Sequence, residues 1–229
     1  HLLGRTDALY VYGPEPLGEV IHVQLRASQT YLRYPLHIRI TPFASGEVVM
    51  EDERLVVTSL VLQHRIPSTG FILREKPGMR KLKRSSVDII PHYLRTAVKA
   101  GADLDLPDGS RILNEDLTDP PMEPRSYAYC SDTSYTPALV QHLIGVDLLY
   151  HESTFTELLA DKAKETMHST AAQAAMIARD ARVGQLLLGH FSSRYKSVEP
   201  LLSEAAAVFP NTIASEEGGV YPIGPPTSV

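Results

Sequence analysis

The sequence predicts an α/β fold, and three observations predict it. Apolar runs of strand length at residues 55–62, 126–132 and 185–191 are rich in leucine, β-branched or aromatic residues. An alanine-rich segment at 170–181 carries helical signals. Strand and helix patterns then alternate through the second half of the chain, as in a sheet whose strands are joined by helices. At 229 residues the chain can build a core without staples. It reads as a single domain over 1–229 with an insertion at about 75–124.

In order along the chain, residues 8–12 read as a short strand, ended by the Gly13-Pro14 turn signal. Residues 16–28 read as a helix, because Leu17, Val20, Ile21 and Leu25 fall three and four apart. Residues 37–41 alternate like a strand. The run 55–62 reads as a buried strand, and 70–74 as a further strand paired with it. From 75 to 124 charge, Pro and Gly rise and the periodicity becomes patchy, with one short helix around 93–99. An excursion of that length is functional or disordered. The pattern returns to strand at 126–132, helix at 137–144 and strand at 147–151. Thr170 and Gln173 fit a capping box for the helix 170–181, which places His168 and Ser169 at the helix mouth. Residues 185–191 read as a buried strand, 201–208 as a helix and 211–215 as a final strand.

Composition excludes several classes. A lone cysteine, Cys130, cannot form an intrachain disulfide; it reads as a small core residue and fits a reducing, cytoplasmic compartment. No apolar run approaches the ~18 residues of a membrane span. No signal-peptide pattern is visible in a chain that opens on His1. A net charge of −5 argues against nucleic-acid binding over the whole surface. Its distribution says more: Arg74, Lys76, Arg80, Lys81, Lys83 and Arg84 cluster against a single acid, Glu75. Such a run suffices to neutralise several phosphates, although by charge alone a solvated basic loop is the simpler reading.

His64, Asp132, His151 and His190 all fall near the ends of expected strands, where α/β sheets gather ligands and catalytic groups. Hydrolytic zinc sites use imidazole nitrogens and carboxylate oxygens and keep one position open for water. Two metals roughly 3.5–4 Å apart share that water and clamp a phosphoryl oxygen. Asp132 is the candidate bridge, since its two oxygens can reach both ions, and His64 and His190 are candidate terminal ligands. His151 and His168 are candidates for supporting a ligand or moving a proton. Glu152 is placed to hold an imidazole in its working tautomer. Each also has a duller reading, as a hydrogen-bonded structural histidine or a turn-forming Asp-Thr, and taken singly none carries a function.

Taken together, these residues resemble the ribonuclease Z family, tRNA 3′-processing endonucleases of the metallo-β-lactamase superfamily. The likeness runs from about Tyr10 onward. It rests on Val-Tyr-Gly-Pro at 11–14, His64 with Pro-Ser-Thr-Gly-Phe at 67–71, and Tyr-Cys-Ser-Asp-Thr at 129–133. It continues with His-Glu-Ser-Thr-Phe at 151–155, His168-Ser-Thr-Ala, and Gly-His-Phe-Ser-Ser-Arg-Tyr at 189–195. The resemblance implies an αββα sandwich of the metallo-β-lactamase type, incomplete at the N-terminus, with a protruding basic arm. It implies a zinc-dependent hydrolase, a nuclease that removes the 3′ trailer from precursor tRNA with two zinc ions per complete site. His64 and His190 would each bind one zinc and Asp132 would bridge them. His168, with Glu152 behind it, would handle proton transfer, and Ser192 and Arg194 would hold substrate phosphate. The arm, with Arg74, Lys76, Arg80, Lys81, Lys83 and Arg84, would grip the tRNA body away from the metals. A cytoplasmic homodimer is implied too, the arm of one subunit serving the centre of the other.

Two departures qualify the likeness. The family's main metal block, His-x-His-x-Asp-His, is absent from the sequence. The expectation is that the chain lacks its N-terminal third, binds zinc poorly or not at all, and is inactive alone. The arm also lacks a Gly-Pro-rich tip, since residues 85–94 read Ser-Ser-Val-Asp-Ile-Ile-Pro-His-Tyr-Leu. Two rival readings stand. One is a superfamily phosphodiesterase acting on small substrates, against which the basic arm argues. The other is a metal-free RNA-binding or partner subunit, which the absent block permits.

Overall fold

The computed structural model describes residues 4–224; residues 1–3 and 225–229 of the expected 1–229 domain lie outside the described residues. In chain order the elements are β1 (Leu9–Gly13), α1 (Pro16–Ala27), β2 (Leu36–Ile40), β3 (Val48–Glu51), β4 (Leu55–Leu62) and β5 (Ser68–Glu75). Then come β6 (Lys81–Leu82), α2 (Arg95–Lys99), β7 (Leu104–Asp105), β8 (Arg111–Ile112), α3 (Asn114–Leu117) and β9 (Thr118–Asp119). The remainder are β10 (Ser126–Cys130), α4 (Val140–Leu143), β11 (Leu148–Glu152), α5 (Ala160–Thr166), α6 (Ala171–Asp180), β12 (Gln185–Gly189), α7 (Glu199–Val208) and β13 (Thr212–Ala214). The chain divides into two compact units, one made of Glu53–Leu55 with Glu75–Pro124 and the other of the remaining residues.

The larger unit is built on a seven-stranded sheet in the order β13-β12-β11-β10-β5-β4-β3. Strands β10 to β13 run parallel, while β5 pairs antiparallel with β10 and β3 antiparallel with β4. Parallel neighbours cannot be joined by a tight turn, so the chain crosses between them through α4, through α5 and α6, and through α7. This is the α/β class that the alternating pattern predicts.

Helix α6 packs against α7 and against β11 and β12. Its buried residues Ala171, Ala174, Ala175, Ile177 and Ala178 recur three and four apart. Alanines on that face let the helix axis approach the sheet closely. Leu149, Leu186 and Leu188 meet it from the strands. The expected capping box is present: the Gln173 amide donates to Thr170 Oγ1 at 3.1 Å, and the Thr170 amide donates to Gln173 Oε1 at 3.0 Å. Such a cap is worth about 1 kcal/mol, and it anchors the turn that carries His168. Strand β3 and helix α5 were not anticipated. A separate pair of parallel strands, β1 and β2, is joined through α1, which has no buried residue.

The smaller unit has its own core of Ile90, Val98, Leu104 and Leu117. Two short antiparallel pairs, β6 with β9 and β7 with β8, frame it. Arg74, counted with the basic run of the insertion, lies on β5 in the larger unit, where its Nη2 donates to the His142 carbonyl at 3.3 Å. Arg74 keeps its ladder pairing with Ser126 of β10, so the strand runs on into the charged stretch.

Candidate active site

Parallel order brings the C-terminal ends of β10, β11 and β12 to one rim of the sheet. Asp132 follows β10, Glu152 ends β11, and His190 follows β12 directly. The end of β4 joins them, because the Gln63 amide donates to Thr133 Oγ1 at 3.1 Å and the Ser134 amide donates to the Gln63 carbonyl at 2.8 Å. His64 comes next in sequence and is thereby delivered to the same rim. His168 arrives from the turn between α5 and α6. That turn uses a left-handed Met167 (φ 58°), which ends α5 and reverses the chain just before His168.

The three imidazoles gather on this rim, and two of them face Asp132. The ring of His168 lies 4.8 Å from that of His64 and stacks 5.1 Å from that of His190. His64 Nε2 is 3.9 Å from Asp132 Oδ2, and His190 Nε2 is 3.4 Å from Asp132 Oδ1. Two imidazoles therefore face the two oxygens of one carboxylate. Both separations exceed an ordinary N···O hydrogen bond. His64 Nδ1 is 2.9 Å from the Met167 carbonyl, which can only accept, so Nδ1 carries a proton, and in the neutral ring Nε2 is the bare nitrogen. A lone pair aimed at a carboxylate is unfavourable unless a cation lies between them. Nitrogen and oxygen donors converging without satisfying one another fit a transition-metal site.

Glu152, His168 and His190 also offer ligand atoms within 4.8 Å of one another. Glu152 is nevertheless unsuited to bind a metal, because its four acceptor positions are filled. Oε1 accepts from the Thr133 amide at 2.9 Å and from His168 Nδ1 at 2.7 Å. Oε2 accepts from the Thr154 amide at 3.1 Å and from Thr154 Oγ1 at 2.7 Å. Glu152 is fully buried, so these donors replace its water.

His190 sits in the left-handed region (φ 56°), an uncommon conformation for a residue with a side chain. The glycine before it is required, since a Cβ at Gly189 would run into the Tyr150 ring. Burial pushes the Tyr150 hydroxyl up to about 12, helped by Tyr129, Asp132 and Glu152, so it stays neutral beside the site.

Ser192 and Arg194 lie on the loop after His190. Arg194 Nε donates to Ser192 Oγ at 3.0 Å, and its guanidinium stacks 4.9 Å over the Phe155 ring. Phe155 in turn meets His168 edge-on at 6.3 Å. His151 does not join the cluster, contrary to its reading as a supporting or proton-moving residue. Adjacent residues of a strand point to opposite faces, and Glu152 takes the site face. His151 is 1% exposed, bonded through Nδ1 to the Glu152 carbonyl at 2.7 Å. Sequence reasoning missed Thr133, Thr154 and the Met167 carbonyl as supports. Only the first two had a signal, being the threonines inside the Cys-Ser-Asp-Thr and His-Glu-Ser-Thr blocks.

No protein-family model matches the chain. Curated relatives do. A protein named ribonuclease Z from Bacteroides fragilis (strain YCH46) is 46% identical over 218 residues, covering 94% of this chain and 72% of the relative. Another ribonuclease Z, from Cytophaga hutchinsonii, is 40% identical over 223 residues, covering 96% of this chain and 71% of the relative. Among solved structures, the short form of human tRNase Z matches with a TM-score of 0.62 at 24% identity, over 97% of this chain and 70% of that one. The metallo-β-lactamase fold protein YhfI from Bacillus subtilis matches with a TM-score of 0.54 at 18% identity, over 90% and 61%. At those identities the structural likeness shows the fold alone.

Proposed function

This chain belongs to the ribonuclease Z family, and from that premise we propose that it is an endoribonuclease that removes the 3′ trailer of precursor tRNA by phosphodiester hydrolysis. The observation that carries the reading is a His168–Glu152 pair standing beside a carboxylate, Asp132, that two further imidazoles face. His64, Asp132 and His190 would hold the metal, and their imidazole and carboxylate donors suit zinc. Zinc bound there would supply Lewis acidity, acidifying water and neutralising the charge that builds on the scissile phosphate.

The chain's own groups do the rest. Glu152 holds His168 through Nδ1, which leaves Nε2 for the substrate. Once protonated, His168 gives that proton to the 3′ oxygen of the discriminator nucleotide as its bond to phosphorus breaks. The tRNA keeps a 3′-hydroxyl and the trailer a 5′-phosphate. The buried Glu152 carboxylate stabilises the imidazolium needed for that step. Ser192 and Arg194 bind a phosphate oxygen, a task suited to a guanidinium fork.

We assign RNA gripping to the smaller unit. A cleft of about 470 Å³ there is lined by Lys81, His92, Arg95 and Lys99 together with the apolar Leu82 and Val87. Lys81, Arg95 and Lys99 are scattered in sequence yet share one opening, which suits successive backbone phosphates. Arg80 and Lys83 are partly engaged within the unit, with Thr118 Oγ1 and the Glu115 carbonyl. Lys81 and Arg84 are exposed. A cytoplasmic homodimer is part of the proposal, as the resemblance implies. Among the described residues no helix is long and apolar enough to cross a membrane.

The test offers precursor tRNA and a chromogenic phosphodiester, with zinc, to the native full-length protein. A single cut after the discriminator nucleotide, leaving a 3′-hydroxyl, supports the proposal. Turnover of the small diester with precursor tRNA left intact would make it a small-substrate phosphodiesterase. RNA binding without turnover of either would make it a non-catalytic partner.

A further inference from the structure

Thr154 touches two groups of the site through one hydroxyl. Its Oγ1 donates to Glu152 Oε2 at 2.7 Å and lies 2.8 Å from His190 Nδ1. A hydroxyl has one proton. The ionised Glu152 can only accept, so that proton is committed to it. Only lone pairs of Oγ1 remain to face His190, and Nδ1 must therefore carry the proton of that contact. We propose that Thr154 is a positioning residue that locks His190 in the Nδ1–H tautomer, so that one buried carboxylate sets two imidazoles, His168 directly and His190 through this hydroxyl. The inference deepens the reading of His190 as a metal ligand and rests on it.

The consequence falls on Nε2 of His190, which faces Asp132 Oδ1 at 3.4 Å. With Nδ1 protonated, Nε2 is bare and available to a cation. Without the Thr154 oxygen nothing ties Nδ1, and His190 is exposed enough (44%) to change tautomer freely. An Nε2–H would then donate to Asp132, and the two groups would satisfy each other. Both would be withdrawn from metal binding at once. Thr154 itself is buried (6%), so water does not readily take over the missing contact.

Nitrogen-15 NMR of the histidine rings in the metal-free protein tests the lock directly. The parent should show His190 as the Nδ1–H tautomer. Thr154→Val, or Thr154→Ala where the valine variant folds poorly, should shift His190 toward Nε2–H, and Thr154→Ser should restore the parental signal. Zinc affinity, read by competition with a chromogenic chelator, should fall about 10–100-fold in the valine or alanine variant and recover in the serine variant. An unchanged His190 tautomer after loss of the hydroxyl would overturn the inference. A parent protein that takes up no zinc would instead remove the metal-ligand reading, while the ring spectra would still decide the role of Thr154.

Discussion

Nδ1 of His168 lies 2.7 Å from Oε1 of Glu152, a carboxylate with no exposed surface. The same carboxylate holds the turn after β10 through Thr133 and the turn after β11 through Thr154. Glu152→Ala should therefore destabilise the fold as well as disable the site. It strands buried donors of Thr133 and Thr154, each costing about 1–3 kcal/mol. Urea unfolding should show a loss of several kcal/mol. A loss below about 1 kcal/mol would mean that Glu152 does not brace the rim.

His168→Ala separates chemistry from binding. The ring is near the surface (15% exposed), and its removal leaves Glu152 with its other donors. Single-turnover cleavage of precursor tRNA should fall about 10²–10⁴-fold while tRNA affinity holds. Cleavage at the parental rate would take His168 out of the mechanism.

Asp132 is the group that both His64 and His190 face, and it is one-third exposed. Asp132→Ala should leave the melting temperature nearly unchanged, since Asp132 is not braced as Glu152 is. In the native full-length protein, zinc content after dialysis against dilute zinc, measured by elemental analysis, should drop toward that of a protein with no site. Equal zinc in variant and parent would place the metal elsewhere.

The strands that build the rim were legible from their apolar runs, most continuous in β12, whose Leu186, Leu187 and Leu188 are all buried. The run at 55–62 coincides with β4, and the capping residues of α6 announced its start. Helix α5 escaped notice for a physical reason. Ala-Asp-Lys-Ala-Lys-Glu-Thr has no apolar stripe, buries only Ala163, and ends on a left-handed methionine where glycine is usual. In the site, His64, Asp132 and His190 were readable as ligand types at strand ends. The choice between His151 and Glu152 was not, because it depends on which face of β11 meets the rim. The Met167 carbonyl had no signal, since every residue has one. Contiguous charge pointed at residues 74–84, whereas folding of the smaller unit gathers Lys81 with His92, Arg95 and Lys99.

That regrouping has a measurable consequence. Lys81→Ala and Lys99→Ala should each weaken precursor-tRNA binding and reduce the slope of log affinity against log salt by about 1. Arg95→Ala should also loosen the unit, because its guanidinium holds the Val87 carbonyl at 2.7 Å and the Ile90 carbonyl at 3.3 Å. A salt slope unchanged in both lysine variants would remove the cleft from RNA binding.

His151 makes stability depend on pH. Burial lowers its pKa, opposed by the Glu152 carbonyl and carboxylate, and Nε2 finds no hydrogen-bond partner among the described residues. The folded protein therefore holds a neutral imidazole that the unfolded chain protonates near pH 6.5. Below that pH the unfolded state binds more protons, so stability falls as pH falls, by at most about 1.4 kcal/mol per unit from this group. The loss ends once pH drops below the folded-state value. His151→Leu, which removes the proton site together with the Nδ1 bond to the Glu152 carbonyl, should unfold at a lower urea midpoint than the parent at pH 7.5, and that deficit should shrink or reverse at pH 5.5. Parallel pH profiles for parent and variant would show that another group sets the acid limb.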